Sequence, residues 1–172
     1  MTSCYVGIDP GISFTGVAIL SEDDEVLFRG VVKTYSRWSL QRRVKAIEVG
    51  VSRAVAQAVD RGYTPVIGMV EGFAFWGGKP NAIRQFVRSA VVTGAATASA
   101  LIGLDGVEAE TVSPATWRRV VGVKMSRGTT RDERKAYVLE AVERYLGAQP
   151  EGQPDHITDA LGLALYARKI YG

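Results

Sequence analysis

Residues 5–20 read YVGIDPGISFTGVAIL, two apolar runs separated by a Pro10-Gly11 turn, with one carboxylate, Asp9, where the first run ends. An acid in a buried strand is costly unless something compensates it. Asp-Pro-Gly also suits a turn, because an aspartate can accept hydrogen bonds from nearby backbone N–H groups. Asp9 is therefore either a turn device or one part of a charged site, and the rest of the chain has to decide between them.

Working outward, Cys4–Asp9 and Thr15–Leu20 read as strands, and valine-rich Val26–Thr34 reads as a third after the acidic turn Glu22–Glu25, giving an antiparallel meander. Leu40, Val44, Ile47, Val51, Val55 and Val59 recur every three or four residues and predict a helix over Ser39–Asp60. A short apolar strand, Pro65–Glu71, ends in an acid, and the loop GFAFWGGKP leads to a second helix over Asn81–Ile102. Ala90, Gly94 and Ala98 form a row of small residues on that helix, suited to the close approach of another helix in the core or across a subunit boundary. Glu108–Val112 is a fifth strand, Pro114 opens a short helix to Val121, and GVKMSRGTTR is a polar, basic loop. Two more helices are expected over Asp132–Leu146 and Asp155–Tyr171. This order gives an α/β fold with a five-stranded mixed sheet flanked by helices, and resembles the ribonuclease H-like fold. In that arrangement the first and fourth strands are central neighbours, so Asp9 and Glu71 face each other.

The composition sets the frame. The chain has 172 residues, 47% of them apolar and 23% charged, which suits one globular domain over 1–172. A single cysteine, Cys4, excludes an internal disulfide and fits a buried filler in a reducing, cytoplasmic setting. No membrane segment is expected, since the longest uncharged stretch, Ser89–Leu104, is short and rich in Ser, Thr and Gly. Net charge is only +3, yet Ser113–Lys135 holds seven basic residues against two acids. Positive charge concentrated in one segment suits a polyanion such as nucleic acid.

The acids are placed as chemistry would need them. Glu71 closes the fourth strand, and ligands of α/β sheets bind outside the carboxyl ends of strands. In PDHITDALGLALYARKI, residues 154–170, Asp159 stands near the start of an otherwise apolar helix, with His156 one turn back and Asp155 four residues back. His156 is the chain's only histidine, and Asp155 after Pro154 also suits a first-turn acid on the helix dipole. Three carboxylates on an apolar scaffold make sense if they share divalent cations, which favour hard oxygen ligands. Two such cations can clamp a phosphodiester, one activating water and the other stabilising the leaving oxygen.

GIDPGISFTGVAI, SLQRRVKAIEVGV, VEGFAF, VSPATWRRVVGV and DHITDALGLAL, in this order over nearly the whole chain, resemble the RuvC family of Holliday junction resolvases. The resemblance implies a ribonuclease H-like fold, a homodimer, and symmetric nicking of four-way DNA junctions with Mg2+ or Mn2+, two ions per active site. It makes Asp9, Glu71 and Asp159 metal ligands. Where many members carry an aspartate three residues before the helix acid, this chain has His156, read as ligand or water-orienting base, with Asp155 in reserve; imidazole favours manganese in relative terms. Lys135 resembles a family lysine near the scissile group. Phe73, Phe75 and Trp76 match the loop whose aromatic side chain enters the opened junction, followed by Lys79 and Arg84. Arg118, Arg119, Lys124, Arg127 and Arg131 would grip phosphates.

Other classes fit less well. An actin-like ATPase or sugar kinase shares the Asp-x-Gly turn but needs a second such domain and a second phosphate loop. A ribonuclease H-like nuclease acting on RNA precursors, or on forks and flaps with looser selectivity, is the nearer rival. A non-catalytic junction-binding module would be expected to have lost one of the acids.

Overall fold

A computed structural model describes residues 2–72, 94, 97, 101, 107–126 and 128–172. Phe73, Phe75, Trp76, Lys79, Arg84 and Arg127, together with Ala90, Ala98 and most of the helix expected over Asn81–Ile102, lie outside the described residues.

The strands are β1 (Thr2–Asp9), β2 (Phe14–Ser21), β3 (Val26–Lys33), β4 (Tyr63–Glu71) and β5 (Glu108–Val112). They form one sheet in the order β3-β2-β1-β4-β5. The first three strands make the expected antiparallel meander, and β4 lies parallel to both β1 and β5. β4 begins two residues before the expected Pro65. The strand tolerates this proline because the register slips beside it, between Cys4 and Tyr5 of β1.

Side-chain alternation decides what each face holds. Cys4, Val6 and Ile8 of β1 point to one core with Ile47, Val51 and Val55. These belong to α1 (Leu40–Asp60), which is capped by Ser39. The buried side of α1 uses Ala54 and Ala58, whereas Val59, expected in the apolar stripe, is 48% exposed. The Cys4 thiol is buried, and burial pushes its pKa up to about 11, so it is an inert filler.

The other face carries Tyr5 of β1 and Ile67 and Met69 of β4 against α2 (Pro114–Val121), α3 (Arg131–Leu146) and α4 (Asp155–Tyr171). By the same alternation Asp9 and Glu71 fall on this second face. The last paired positions of β1 and β4 are Ile8 and Val70, so the two acids emerge side by side at the carboxyl edge. α3 starts one residue before expectation, because Thr130 and Glu133 form a reciprocal capping box. α4 runs close over β1 and β2. A Cβ at Gly16 would overlap the carbonyl of His156, so only glycine there lets the start of α4 reach the sheet edge.

Candidate active site

Asp9 is buried at the end of β1, and its Oδ2 meets Nδ1 of His156 at 2.5 Å. His156 sits in the first turn of α4, and its pKa is raised above the ordinary imidazole value, chiefly by this hydrogen bond, with further help from the charges of Asp9, Asp159 and Asp155. Since a carboxylate oxygen accepts, Nδ1 carries the proton of this pair and donates it to Asp9. On its other side Phe14 stacks on the imidazole, with ring centroids 5.9 Å apart.

Glu71 ends β4. Its Oε1 accepts a hydrogen bond from the Trp117 indole N–H at 2.8 Å and from Arg118 at 3.3 Å. Trp117 is fully buried, and a buried indole needs such an acceptor. Its ring lies where Gly162 of α4 leaves room, since a Cβ there would press on the six-membered ring. Burial and the charge of Asp9 raise the Glu71 pKa, against the lowering effects of Trp117, Arg118 and His156. Asp159, one turn beyond His156, is pushed up to about 7 by burial and then by Asp9 and Glu71. These mutual shifts record three carboxylates from three separate elements within electrostatic reach of one another.

Asp9, His156 and Asp159 line a cleft of about 240 Å3 with Arg118, Arg131, Arg134 and Lys135. Lys135 reaches across from α3 to pair with Asp155 at 2.5 Å. Asp155 is therefore engaged by a lysine and lies at the rim, whereas His156 touches Asp9. Pro154 is the N-cap residue and Asp155 the first-turn acid.

The expected phosphate contacts divide. Arg131 and Lys135 line the cleft, and Arg119 is exposed on α2. Arg118 instead turns inward, its side chain 14% exposed, and pairs with Glu71. Lys124 lies in a different cleft with Tyr137, Glu140 and Arg144. Two contributors had no role in the sequence reading: Trp117, whose indole holds Glu71, and Phe14, which covers His156. The clue to the first was available, because a tryptophan beside Arg118 on a short amphipathic helix must bury its N–H against an acceptor.

The donor set suits a hard divalent cation. Three carboxylates face one inward guanidinium, whose Nε is itself buried without a partner. Asp159 is lifted by burial and by the neighbouring carboxylates, and a dication would neutralise the charge they crowd together. As the side chains stand, no three acid or imidazole groups among the described residues converge on a single point. Asp9 is instead turned to His156 and Glu71 to Trp117 and Arg118, so cation binding has to compete with these donors.

A family profile described as "Crossover junction endodeoxyribonuclease RuvC" matches residues 5–167. The protein of that description from Rhodopirellula baltica is 29% identical over 168 residues, covering 95% of this chain and 84% of its own length. Among solved structures, T. thermophilus RuvC in complex with a Holliday junction substrate superposes with a TM-score of 0.72 at 22% identity, covering 96% of this chain and 91% of that one. The yeast mitochondrial Holliday junction resolvase superposes with a TM-score of 0.55 at 12% identity, covering 95% and 78%. These two likenesses place the fold in the ribonuclease H-like class.

Proposed function

The chain belongs to the RuvC family of crossover junction endodeoxyribonucleases, and from that premise we propose that it cuts four-way DNA junctions by paired, symmetric nicks at the cleft lined by the end of β1 and by α2, α3 and α4. The observation that carries this reading is that Asp9, Glu71 and Asp159, remote in sequence, lie within electrostatic reach of one another near one sheet edge, beside basic side chains. Metal dependence is general to the family. The finer reading is two ions, Mg2+ or Mn2+, held by Asp9, Glu71 and Asp159 with His156 as the fourth group. When bound, the ions supply the Lewis acidity that activates water and steadies the leaving oxygen of a phosphodiester.

The chain's own residues do the rest. Trp117 and Arg118 fix Oε1 of Glu71 and so orient its carboxylate. His156 holds a proton on Nδ1 toward Asp9, and would orient water beside it if Asp9 held a cation. Lys135, Arg131 and Arg134 offer cations to the backbone phosphates, and Lys135 exchanges Asp155 for phosphate as DNA enters. The loop with Phe73, Phe75, Trp76, Lys79 and Arg84, and the basic residues Arg119, Lys124 and Arg127, are further proposed contacts to the branched substrate. The chain would act as a single nuclease domain and as a homodimer, because paired nicks need two acid clusters.

The test offers labelled four-way junction, fork, duplex and RNA hairpin to the purified protein with Mg2+ or Mn2+ and reads the cut positions. Paired nicks symmetric about the branch point are expected. Cutting of RNA alone would reject the reading, and equal cutting of the fork and the junction would reject its selectivity for junctions.

A further inference from the structure

Away from the cleft, a line of rings and cations runs from His156 along the end of β3 to the start of α1. Phe14 stacks on His156. The Lys33 ammonium stands 5.7 Å from the centre of the Phe14 ring and 5.6 Å from that of Tyr35. Arg37 covers Tyr35 at 5.3 Å, Tyr35 meets Trp38 edge to face at 5.0 Å, and Arg42 lies over Trp38 at 4.4 Å.

Three observations say this strip is not there for folding alone. None of its rings belongs to either hydrophobic core, and Phe14 and Tyr35 are each 42% exposed. From Lys33 to Ile47 the sequence carries five basic residues and no acid. Among the described residues, Lys33, Arg37 and Arg42 have no carboxylate partner. The other two are used differently: Lys45 pairs with Glu48, and Arg43 donates to Thr34, to the carbonyl of Ile12 and to Ser13, and so ties the strip to the turn that follows Asp9.

We propose that Phe14, Lys33, Tyr35, Arg37, Trp38 and Arg42 form a track for one DNA strand of the junction as it leaves the cleft. The proposal rests on the nuclease reading above and extends it to a surface outside the basic segment Ser113–Lys135. Cations held against ring faces are already ordered, so less side-chain entropy is lost when they contact phosphates. The exposed faces of Phe14 and Tyr35 offer stacking to bases that a branched substrate leaves unpaired. Continuity with His156 fixes the track's origin at the site of cutting.

The test compares the full chain with the triple variant Lys33→Ala, Arg37→Ala, Arg42→Ala, and with Tyr35→Ala. Binding of a labelled four-way junction is measured in EDTA across a salt series, and cleavage with metal at saturating junction. The triple variant is expected to bind about tenfold or more weakly, with a slope of log affinity on log salt shallower by about 2 to 3, as each lost phosphate contact removes about 0.9. Tyr35→Ala is expected to weaken binding by about fivefold or more with the slope kept. Cleavage at saturation should stay within about twofold for both. Wild-type affinity and slope in the triple variant would overturn the track, and is the outcome if the strip serves an acidic protein instead. Weaker binding with an unchanged slope would overturn it too, because phosphates would then not be the contact. If the triple variant fails to unfold cooperatively, Gln at the same three positions replaces Ala. Failure of the wild type itself to bind or cut the junction removes the functional reading, and the track with it.

Discussion

Glu71 and Asp159 sit where burial and neighbouring carboxylates penalise their charge unless a cation joins them, and Asp9 lies buried beside them. Asp9→Asn or Asp159→Asn should reduce cleavage by more than about 100-fold, beyond the range for residues that only orient ligands, while junction binding in EDTA is kept. Trp117→Phe removes the indole N–H that holds Glu71, together with the five-membered ring, and leaves a small cavity in the core. It should weaken Mn2+ binding by about 10-fold to 100-fold, read by electron paramagnetic resonance on protein that still unfolds cooperatively. His156→Ala should lower cleavage and leave junction binding intact; unchanged cleavage would move the role to Asp155. At this scale the sequence exposed the acids, because carboxylates on apolar elements stand out. It hid Trp117, since an aromatic residue at helical spacing looks like core whether or not its N–H is engaged. It also left Arg118 facing outward, because the count of basic residues carries no direction.

Among the elements, the pleat and the glycines do the positioning. Parity along β1 and β4 puts both acids on the α4 face, and their parallel pairing puts both at one edge. The order of elements was readable from periodicity and turn residues, and so was the meander. The adjacency of β1 and β4 was not, because pairing across a long connection leaves no local mark, and it came through family resemblance. Val59 was misplaced for a related reason: alanines at 54 and 58 fill the helix face against the sheet, where apolarity alone favours the larger valine. Gly16→Ala tests how closely α4 must lie. The added methyl meets the His156 carbonyl, so a destabilisation of about 1 to 3 kcal/mol is expected, or roughly 2 to 12 °C in Tm. Cleavage at low temperature should fall as well, since His156 would be pushed from Asp9. An unaltered Tm would mean that the helix start has slack.

For the molecule as a whole, the burial of Asp159 among neighbouring carboxylates becomes a dependence of stability on pH. Asp159 ionises near 3.8 when unfolded and at about 7 when folded. Between those values the folded chain binds more protons than the unfolded one, so stability contributed by this group is full below about pH 4 and is lost as pH rises through about 7. The metal-free protein is thus expected to show a falling Tm across that window. Millimolar Mn2+ or Mg2+ should restore it at pH 7 and above, because the cation binds the folded state and replaces the proton. In Asp159→Asn the fall should be absent. No described helix is long and apolar enough to cross a membrane, consistent with the mixed composition.

The most direct measurement is anomalous diffraction from a crystal soaked in Mn2+ at neutral pH. Manganese peaks bounded by carboxylate oxygens of Asp9, Glu71 and Asp159, with Asp9 turned from His156, are expected. Peaks elsewhere, or full soaking that leaves Asp9 on His156 and no metal between the three acids, would contradict the account.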